Sequence, residues 1–260
     1  MNPQKRNFLI SVLSLLQYHK TIGITAYQDV EGLSTFMQSI DVPYFESTGK
    51  GSVTIDASDL ERGDDLKSGS TTCREIADEV RGCTNCDLRT KRLSAVPGDG
   101  GMTMPKLLIV GGWLSGEKEG AVGEKDIFGK EEDAMVSRMI TAINLSPEKV
   151  FVTNVVKCSL PEDCQPSNEQ IHTCFSYLRR QIHILNPDVI CTMGVVAAKA
   201  LLKSTKALSL VRGRVFPFEV SGRRTIPVVP TYHPTFLLKN PDFKRATWGD
   251  LQVVAKHLRQ

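Results

Sequence analysis

The chain has 260 residues, of which 41% are apolar and 23% are charged. These proportions are close to those of soluble globular domains, and they exclude collagen, coiled-coil arrays and disorder throughout. No run of 18 apolar residues is present, so we expect no membrane-spanning helix and no membrane partner. The seven cysteines are too few for a disulfide scaffold, and their odd number favours a reducing compartment with metal-binding or catalytic thiols.

The net charge of +3 is unevenly distributed along the chain. Residues 1–72 carry six Lys or Arg and nine Asp or Glu, whereas residues 199–260 carry 12 and three. A basic C-terminal third is typical of a protein that binds a polyanion. The charge alone is equally consistent with a solvated basic face.

The first 72 residues predict an appendage to the main domain. Leu9, Val12, Leu13 and Leu16 share one helix face, and no small-residue cleavage site follows them. We therefore expect an amphipathic helix here, followed by a second short helix near Val30–Met37, and not a signal peptide. Residues 46–72 are rich in Gly, Ser and Asp, which is linker composition. The predicted division is a helical extension over 1–45, a flexible linker over 46–72 and a domain over 73–260.

After the linker, apolar β-branched runs alternate with helical segments. The runs are Leu107–Val110, Val150–Val156, Val189–Met193 and Ile226–Val229. Helices are predicted at Glu131–Ile143, from Ser167 onward with Gln170 in the capping-box position, at Val195–Leu202 and at Pro241–Leu258. Residues 214–229 predict a hairpin-like addition. This alternation predicts an α/β fold with a parallel sheet flanked by helices.

Ligands of such sheets bind beyond the carboxyl ends of the strands. Four sets of residues fall there: Gly111 to Ser115, Asn154 with Lys157 and Cys158, Gly194, and Thr231 to Pro234, which includes His233. The topology alone therefore predicts a site that gathers Gly, Asn and His at one edge of the sheet.

The cysteines predict a second site. Cys83 and Cys86 form a C-x2-C chelate, and Cys158 and Cys174 supply a more widely spaced pair. Four thiolates suit zinc or an iron–sulfur cluster. Alternatively, Cys158 and Cys174 are small buried side chains, since free cysteine is often buried. Cys164 is the most plausible substitute ligand.

Residues 81–260 resemble the family-4 uracil-DNA glycosylases, the iron–sulfur branch of that superfamily. The matching blocks, in order, are Cys83–Leu88 with Arg92, Thr153–Cys158 with Cys174, Leu210–Arg214, Pro230–Leu238 and Trp248–Gln252. The resemblance implies a three-layer sandwich with a four-stranded parallel sheet. It also implies a [4Fe–4S] cluster on Cys83, Cys86, Cys158 and Cys174.

The function implied by the resemblance is hydrolysis of the N-glycosidic bond of uracil in DNA, which starts base excision repair. The expected partner is uracil-containing DNA, and the expected state is a cytoplasmic, nucleoid-associated monomer. Two alternatives remain open at this point. One is a DNA-binding or damage-sensing relative with lost or altered activity, and the other is an iron–sulfur electron carrier, which would need neither Asn154 nor His233.

The sequence departs from the family pattern at two places. The family's first motif, G-E-A-P-G, carries a carboxylate implicated in catalysis, and Gly112 stands at its position. The family's P-F-V-G element carries the Phe that stacks on uracil. Alignment through Gly129 puts Ile127 at that place, with Phe128 next to it.

The expected site roles follow from the chemistry of uracil. An amide accepts from N3–H and donates to O4, which suits Asn154, and His233 is expected to stabilise negative charge developing on O2. The expected walls of the pocket are Gly111, Gly112, Trp113, Leu114, Ile127 and Phe128. The capping of local backbone is the alternative role for Asn154, and simple core packing is the alternative for Phe128.

DNA contacts are expected near the C-terminus. Leu237 and Leu238 are candidates for the wedge that fills the gap left by a flipped base, with burial under the last helix as the alternative. The expected phosphate contacts are Arg212, Arg214, Lys239, Lys244 and Arg245.

Overall fold

The computed structural model describes residues 72–116, 126–202, 204, 206–220 and 224–258. Both predicted N-terminal helices, and the predicted linker up to residue 71, lie outside the described residues. The strands are β1 (Ser94–Ala95), β2 (Asp99–Gly100), β3 (Leu107–Gly111), β4 (Ser115–Gly116), β5 (Val150–Asn154), β6 (Cys158–Pro161), β7 (Val189–Met193), β8 (Phe216–Val220) and β9 (Arg224–Thr231). The helices are α1 (Cys73–Arg81), α2 (Lys130–Ala142), α3 (Asn168–Leu185), α4 (Val195–Leu202), α5 (Leu208–Val211), α6 (Pro234–Lys239) and α7 (Lys244–Leu258).

A six-stranded sheet forms the centre of the domain, in the order β2-β5-β3-β7-β9-β8. Its four inner strands are parallel, as the sequence predicts. The outer strands β2 and β8 run antiparallel to their neighbours, and β8 with β9 forms the predicted hairpin-like addition. A smaller sheet in the order β1-β6-β4 lies beside it. The four parallel strands therefore provide one carboxyl edge on which a site can be built.

Alternate residues of each strand enter opposite layers of core, because side-chain direction alternates along a strand. Leu107 and Ile109 of β3 pack with apolar residues of α2 and α7. Leu108 and Val110 pack with those of α3 and α4. Since both faces are covered, the strands read as continuous apolar runs. The result is the predicted three-layer sandwich.

The helix boundaries agree closely with the sequence. The side chain of Ser167 accepts a hydrogen bond from the N–H of Gln170, and the Gln170 side chain accepts one from the N–H of Ser167, so α3 begins with the predicted capping box. The predicted last helix is divided into a 3-10 turn at Pro241–Phe243 and α7. No helix in the described part of the chain is long and apolar enough to span a bilayer.

The helix α1 was not predicted, although its start carries a clear signal. Thr72 and Glu75 form a capping box of the same kind. The helix then packs on α3, where Arg180 contacts Glu79 through a bidentate ion pair. This packing brings the chain immediately before Cys83 against the helix that carries Cys174.

Candidate active site

The carboxyl ends of the parallel strands meet as predicted. Gly111 at the end of β3 is the register partner of Asn154 at the end of β5. Gly194 follows β7, and a side-chain carbon at this position would lie 3.1 Å from Cβ of His233, which follows β9. The fold therefore brings Gly111, Asn154, Gly194 and His233 to one edge of the sheet.

The Asn154 amide is the most unusual polar group at this edge. Its residue is fully buried, and Nδ2 donates a hydrogen bond of 2.5 Å to the carbonyl of Ile127. Among the described residues, none donates a hydrogen bond to Oδ1. A buried acceptor without a donor costs free energy, so such an atom is usually paired with a protein group, a water molecule or a ligand. The Oδ1 atom therefore has hydrogen-bonding capacity that no described residue uses.

The side chains of Phe128 and Asn154 both pack closely against the Cα of Gly111. A Cβ at position 111 would overlap Cε1 of Phe128 and would lie 2.5 Å from Oδ1 of Asn154. The Phe128 ring also meets the His233 ring edge-on, with centroids 5.4 Å apart and planes at 73°. Phe128 is therefore the aromatic ring that lies beside Gly111 and His233, whereas Ile127 accepts the Asn154 hydrogen bond through its backbone carbonyl.

Asp133, near the start of α2, fixes the loop that carries Phe128. Its carboxylate accepts hydrogen bonds from the N–H groups of Ile127 at 2.8 Å, Phe128 at 3.2 Å and Gly129 at 3.4 Å. Burial raises the pKa of Asp133, and the three N–H donors oppose that rise. No sequence motif marks Asp133 as a site residue, and its only signal is its position in the acidic first turn of α2.

His233 is held as a neutral imidazole. It caps α6, and Nδ1 accepts a hydrogen bond from the N–H of Thr235 at 3.3 Å. Desolvation lowers the pKa of His233 from 6.5 to about 4. Because Nδ1 is an acceptor, the single proton of the neutral ring lies on Nε2. The residue therefore offers a hydrogen-bond donor at Nε2 across the whole neutral range.

A cavity of about 610 Å³ opens beside these residues. Its wall includes Gly112, Trp113, His233, Thr235 and Lys239, but not the buried Asn154 and Phe128. A ligand that reached Asn154 would therefore approach through the cavity, past Gly112 and His233. Leu114 is also buried, at 1% exposure, so it belongs to the core and not to the cavity wall.

Two of the residues predicted to contact DNA make contacts within the fold. Leu237 is fully buried in a cluster with Tyr232 and Phe236, so it cannot enter a base stack in this arrangement. Arg212 contacts both carboxylate oxygens of Asp250, at 2.7 and 3.1 Å, which engages its guanidinium within the fold. The sequence could not reveal either fact, because both depend on residues that meet only after folding.

The remaining predicted DNA contacts stay available. Leu238 is half-buried, and the exposed cations are Arg214, Lys239, Lys244 and Arg245. Lys239 lines the cavity itself. Their contact with DNA remains a prediction.

The four predicted ligand cysteines lie in one region. Cys158 and Cys174 are buried in a cluster against which Cys83 and Cys86 pack. Burial raises the pKa of the Cys158 thiol, and the neighbouring Cys86 and Cys83 thiols act in the same direction. Cys164 packs against the same cluster. In the described part of the chain, no three His, Cys, Asp or Glu side chains converge closely enough to bind a single metal ion.

A backbone donor and a guanidinium lie beside these thiols. The backbone N–H of Lys157 donates a hydrogen bond of 3.2 Å to Sγ of Cys174. The Arg92 guanidinium lies beside Cys158 and opposes the rise in its pKa. Cys191 is buried in β7 and takes no part in this cluster.

The fold and the site together define an α/β domain with an amide and a neutral imidazole at the carboxyl edge of its sheet. Residues 97–252, more than half of the chain, match the model of the uracil DNA glycosylase superfamily. The chain belongs to this superfamily.

Individual relatives support the same superfamily assignment. A type-4 uracil-DNA glycosylase of Saccharolobus solfataricus is 35% identical over 192 residues, which are 70% of this chain and 85% of the relative. A type-4 uracil-DNA glycosylase of Thermotoga maritima is 31% identical over 187 residues, 71% of this chain and 94% of the relative. A type-5 uracil-DNA glycosylase of Pyrobaculum aerophilum is 30% identical over 91 residues, 35% of this chain and 38% of the relative.

The two adjacent glycines give a matched test of the site's packing. Gly111→Ala should lower the free energy of unfolding by about 1–3 kcal/mol, because the new Cβ overlaps Phe128 and Asn154. Gly112→Ala should change it by less than about 0.5 kcal/mol, because its Cβ would lie 3.4 Å from the nearest atom, on Val196. Urea unfolding of both variants measures the difference. Equal stability of the two variants would contradict this packing.

The state of His233 can be measured by NMR titration. Its ring should remain neutral down to pH 5 and titrate near pH 4, because burial disfavours the imidazolium. In the unfolded chain the same imidazole binds a proton near pH 6.5. The free energy of unfolding therefore falls as the pH is lowered from about 6.5 towards 4, because only the unfolded state is protonated in that range. The signal is assigned by its loss in His233→Gln. A midpoint near 6.5 in the folded protein would show that the ring is solvated.

Proposed function

We propose that this protein is a uracil-DNA glycosylase that hydrolyses the N-glycosidic bond of uracil in DNA and so starts base excision repair. The observation that carries the proposal is the buried Oδ1 of Asn154, which lacks a donor among the described residues. The relatives named type-4 uracil-DNA glycosylase support the same reaction.

Asn154 reads the edge of the base. Its Oδ1 accepts from N3–H of uracil, and the Nδ2 hydrogen that does not bind the Ile127 carbonyl donates to O4. Cytosine presents an acceptor at N3 and a donor at its exocyclic amine, so it would leave both amide groups unpaired. Unpaired buried polar groups give strong discrimination, which is the basis of selectivity for uracil here.

The base reaches Asn154 only after it leaves the DNA stack. Enzymes that act on a base extrude it and hold it against aromatic side chains. Phe128 supplies that surface, and the bare Cα of Gly111 lets the amide and the ring come together. Because Phe128 and Asn154 are buried in the free protein, base entry requires a local adjustment beside Gly111.

His233 stabilises the departing base. Cleavage of the glycosidic bond leaves negative charge on uracil, part of it on O2. The Nε2–H of a neutral His233 donates to that atom, and a donor already oriented in a desolvated site stabilises developing charge without reorganisation. The positive charge that develops on the sugar is stabilised by the DNA phosphates.

Gly112 leaves the site without a carboxylate at the family position. We infer slower uracil release than in relatives with that group, because a residue that orients water contributes about 10²–10⁴ in rate. Recognition by Asn154 and charge stabilisation by His233 are retained. The second candidate, a DNA-binding relative without glycosylase activity, rests on this same glycine.

The thiol cluster fits a [4Fe–4S] cluster held by Cys83, Cys86, Cys158 and Cys174. Cys158 and Cys174 lie in one buried cluster and Cys83 and Cys86 pack against it, so the fold brings four thiols into one region. A cubane needs four thiolates, one on each iron. The Lys157 N–H and Arg92 offset the negative charge of the thiolates. The cluster would cross-link the segment after α1 to β6 and α3, which is a structural function.

The proposed function is tested with a labelled oligonucleotide that contains one uracil. The pure protein should release uracil, so that alkali then cleaves the strand at the abasic site. Asn154→Ala should lower the single-turnover rate by at least about 100-fold, as expected when a site built to hydrogen-bond its substrate loses that group. Affinity for undamaged DNA should stay within twofold, because phosphate contacts carry it.

Lys244→Ala is the matched control for that experiment. It should weaken binding to all DNA and reduce its salt dependence, with little effect on release from bound substrate. If wild-type protein binds DNA but releases no uracil, the glycosylase proposal is wrong and the DNA-binding alternative replaces it.

Gly112→Glu tests the effect of the missing carboxylate. The position has φ outside the left-handed region and ordinary van der Waals distance to Val196, so the backbone accepts a side chain. We expect uracil release to rise by about tenfold or more, whereas Gly112→Gln, which is nearly isosteric but uncharged, should give no comparable rise. Equal rates for both variants would show that the carboxylate has no role at this position.

The cofactor is tested by metal analysis. Protein purified without oxygen should be brown and contain about four irons per chain. Cys174→Ser should reduce the iron content and the stability, whereas Cys191→Ser, which changes a buried core thiol, should retain the iron. Stoichiometric zinc without iron would exclude this cofactor.

A further inference from the structure

We propose that Glu132 is a positioning residue for His233, and that it acts through Thr235 to hold the imidazole in the orientation and tautomer that present Nε2–H to the base. The inference rests on the proposed function, since the imidazole is assigned its role there. The hydrogen-bond partner of the Glu132 side chain is Thr235, not the ring. The effect of Glu132 is transmitted through one threonine.

Thr235 connects the two residues by two hydrogen bonds. Its Oγ1 donates to Oε1 of Glu132 at 3.0 Å. Its backbone N–H donates to Nδ1 of His233 at 3.3 Å. The second hydrogen bond selects the tautomer with the proton on Nε2, and the first fixes the residue that makes it.

The position of α6 explains why this support matters. His233 caps a helix of only six residues, which has little intrinsic stability. The hydrogen bond from Thr235 to Glu132 anchors its first turn to the first turn of the 13-residue α2. A packed cluster that includes Met135 of α2 with Phe236 and Leu237 of α6 completes the contact.

Glu132 is itself confined. Its carboxylate lies over Gly129, where an added Cβ would be 2.7 Å from Oε2. Gly129 has φ of +124°, a conformation available to glycine but rarely to other residues. The next residue, Asp133, binds the N–H groups of the loop that carries Phe128. Two consecutive carboxylates of α2 therefore support the two sides of the pocket, the aromatic side through Asp133 and the imidazole side through Glu132.

The role differs from that of the family carboxylate missing at position 112. Glu132 accepts a hydrogen bond from Thr235 and supports α6, whereas the missing group would orient water at the sugar. Replacing Glu132 by glutamine keeps an acceptor oxygen for Thr235. We therefore expect that the negative charge of Glu132 is dispensable for holding Thr235, whereas an acceptor oxygen at this position is required.

The first test measures single-turnover uracil release. Glu132→Ala should lower the rate at saturating protein by about fivefold to tenfold, the size expected for one hydrogen bond, and should leave affinity for undamaged DNA unchanged. Glu132→Gln should retain most of the rate. Glu131→Ala, an exposed neighbour on the same turn, is the matched control and should match wild type.

A double-mutant cycle identifies the route of the effect. Thr235→Val removes Oγ1 but keeps the N–H that binds His233, and it should resemble Glu132→Ala. The double variant should be no slower than either single variant, because both remove the same hydrogen bond. Additive losses would show that Glu132 acts by another route and would overturn the proposal.

Nitrogen-15 NMR of the histidine ring gives a readout that general destabilisation would not produce. Wild-type His233 should show protonated Nε2 and unprotonated Nδ1. Glu132→Ala should populate the other tautomer, and Glu132→Gln should restore the first. An unchanged tautomer in Glu132→Ala would refute the proposal.

The two proposals can fail separately. If wild type releases no uracil, the proposed function is wrong, and the NMR comparison still decides whether Glu132 positions His233. If Glu132→Ala does not fold, the comparison of Thr235→Val with wild type decides the same point.

Discussion

The missing side chain at Gly111 is the constraint on which the rest of the site depends. The Phe128 ring and the Asn154 amide both occupy the space into which any Cβ would project. That shared space joins the end of β3, the end of β5 and the loop that precedes α2. It also brings the Asn154 amide to the Ile127 carbonyl, so that one hydrogen of Nδ2 is used and Oδ1 is left without a donor among the described residues.

Packing around the site offsets the free-energy cost of leaving Oδ1 of Asn154 unpaired. An unpaired buried acceptor costs about 1–3 kcal/mol, and the three-layer core and the Asp133 hydrogen bonds to the Phe128 loop offset that cost. A ligand with a matching donor recovers it on binding. The same desolvation that makes the acceptor costly keeps His233 neutral and available as a donor. Burial thus bears on both groups: it leaves Oδ1 of Asn154 without a donor among the described residues, and it disfavours the imidazolium of His233, which is half-buried in the cavity wall.

The sequence predicted those parts of the fold that show a hydrophobic pattern or a local capping signal. Strands buried on both faces are visible as apolar runs, and the Ser167–Gln170 capping box marks its helix directly. The position of Asn154 and His233 at the carboxyl edge could be predicted because each stands at the end of a parallel strand or just after it. The two-residue strands β1, β2 and β4 are too short to show a period.

The remaining differences between the sequence-based predictions and the structure depend on contacts that form only in the folded chain. Leu237 and Leu238 are adjacent, and only the packing of α6 decides that the first is buried. Arg212 forms an ion pair with Asp250, which is 38 residues away in the sequence.

The central claim is that Asn154 binds uracil, and a crystal structure with uracil bound tests it most directly. We predict that N3 of uracil lies within hydrogen-bond distance of Oδ1 of Asn154, and that O2 lies within that distance of Nε2 of His233. Uracil bound in the outer cavity, with Asn154 still closed off, would contradict it.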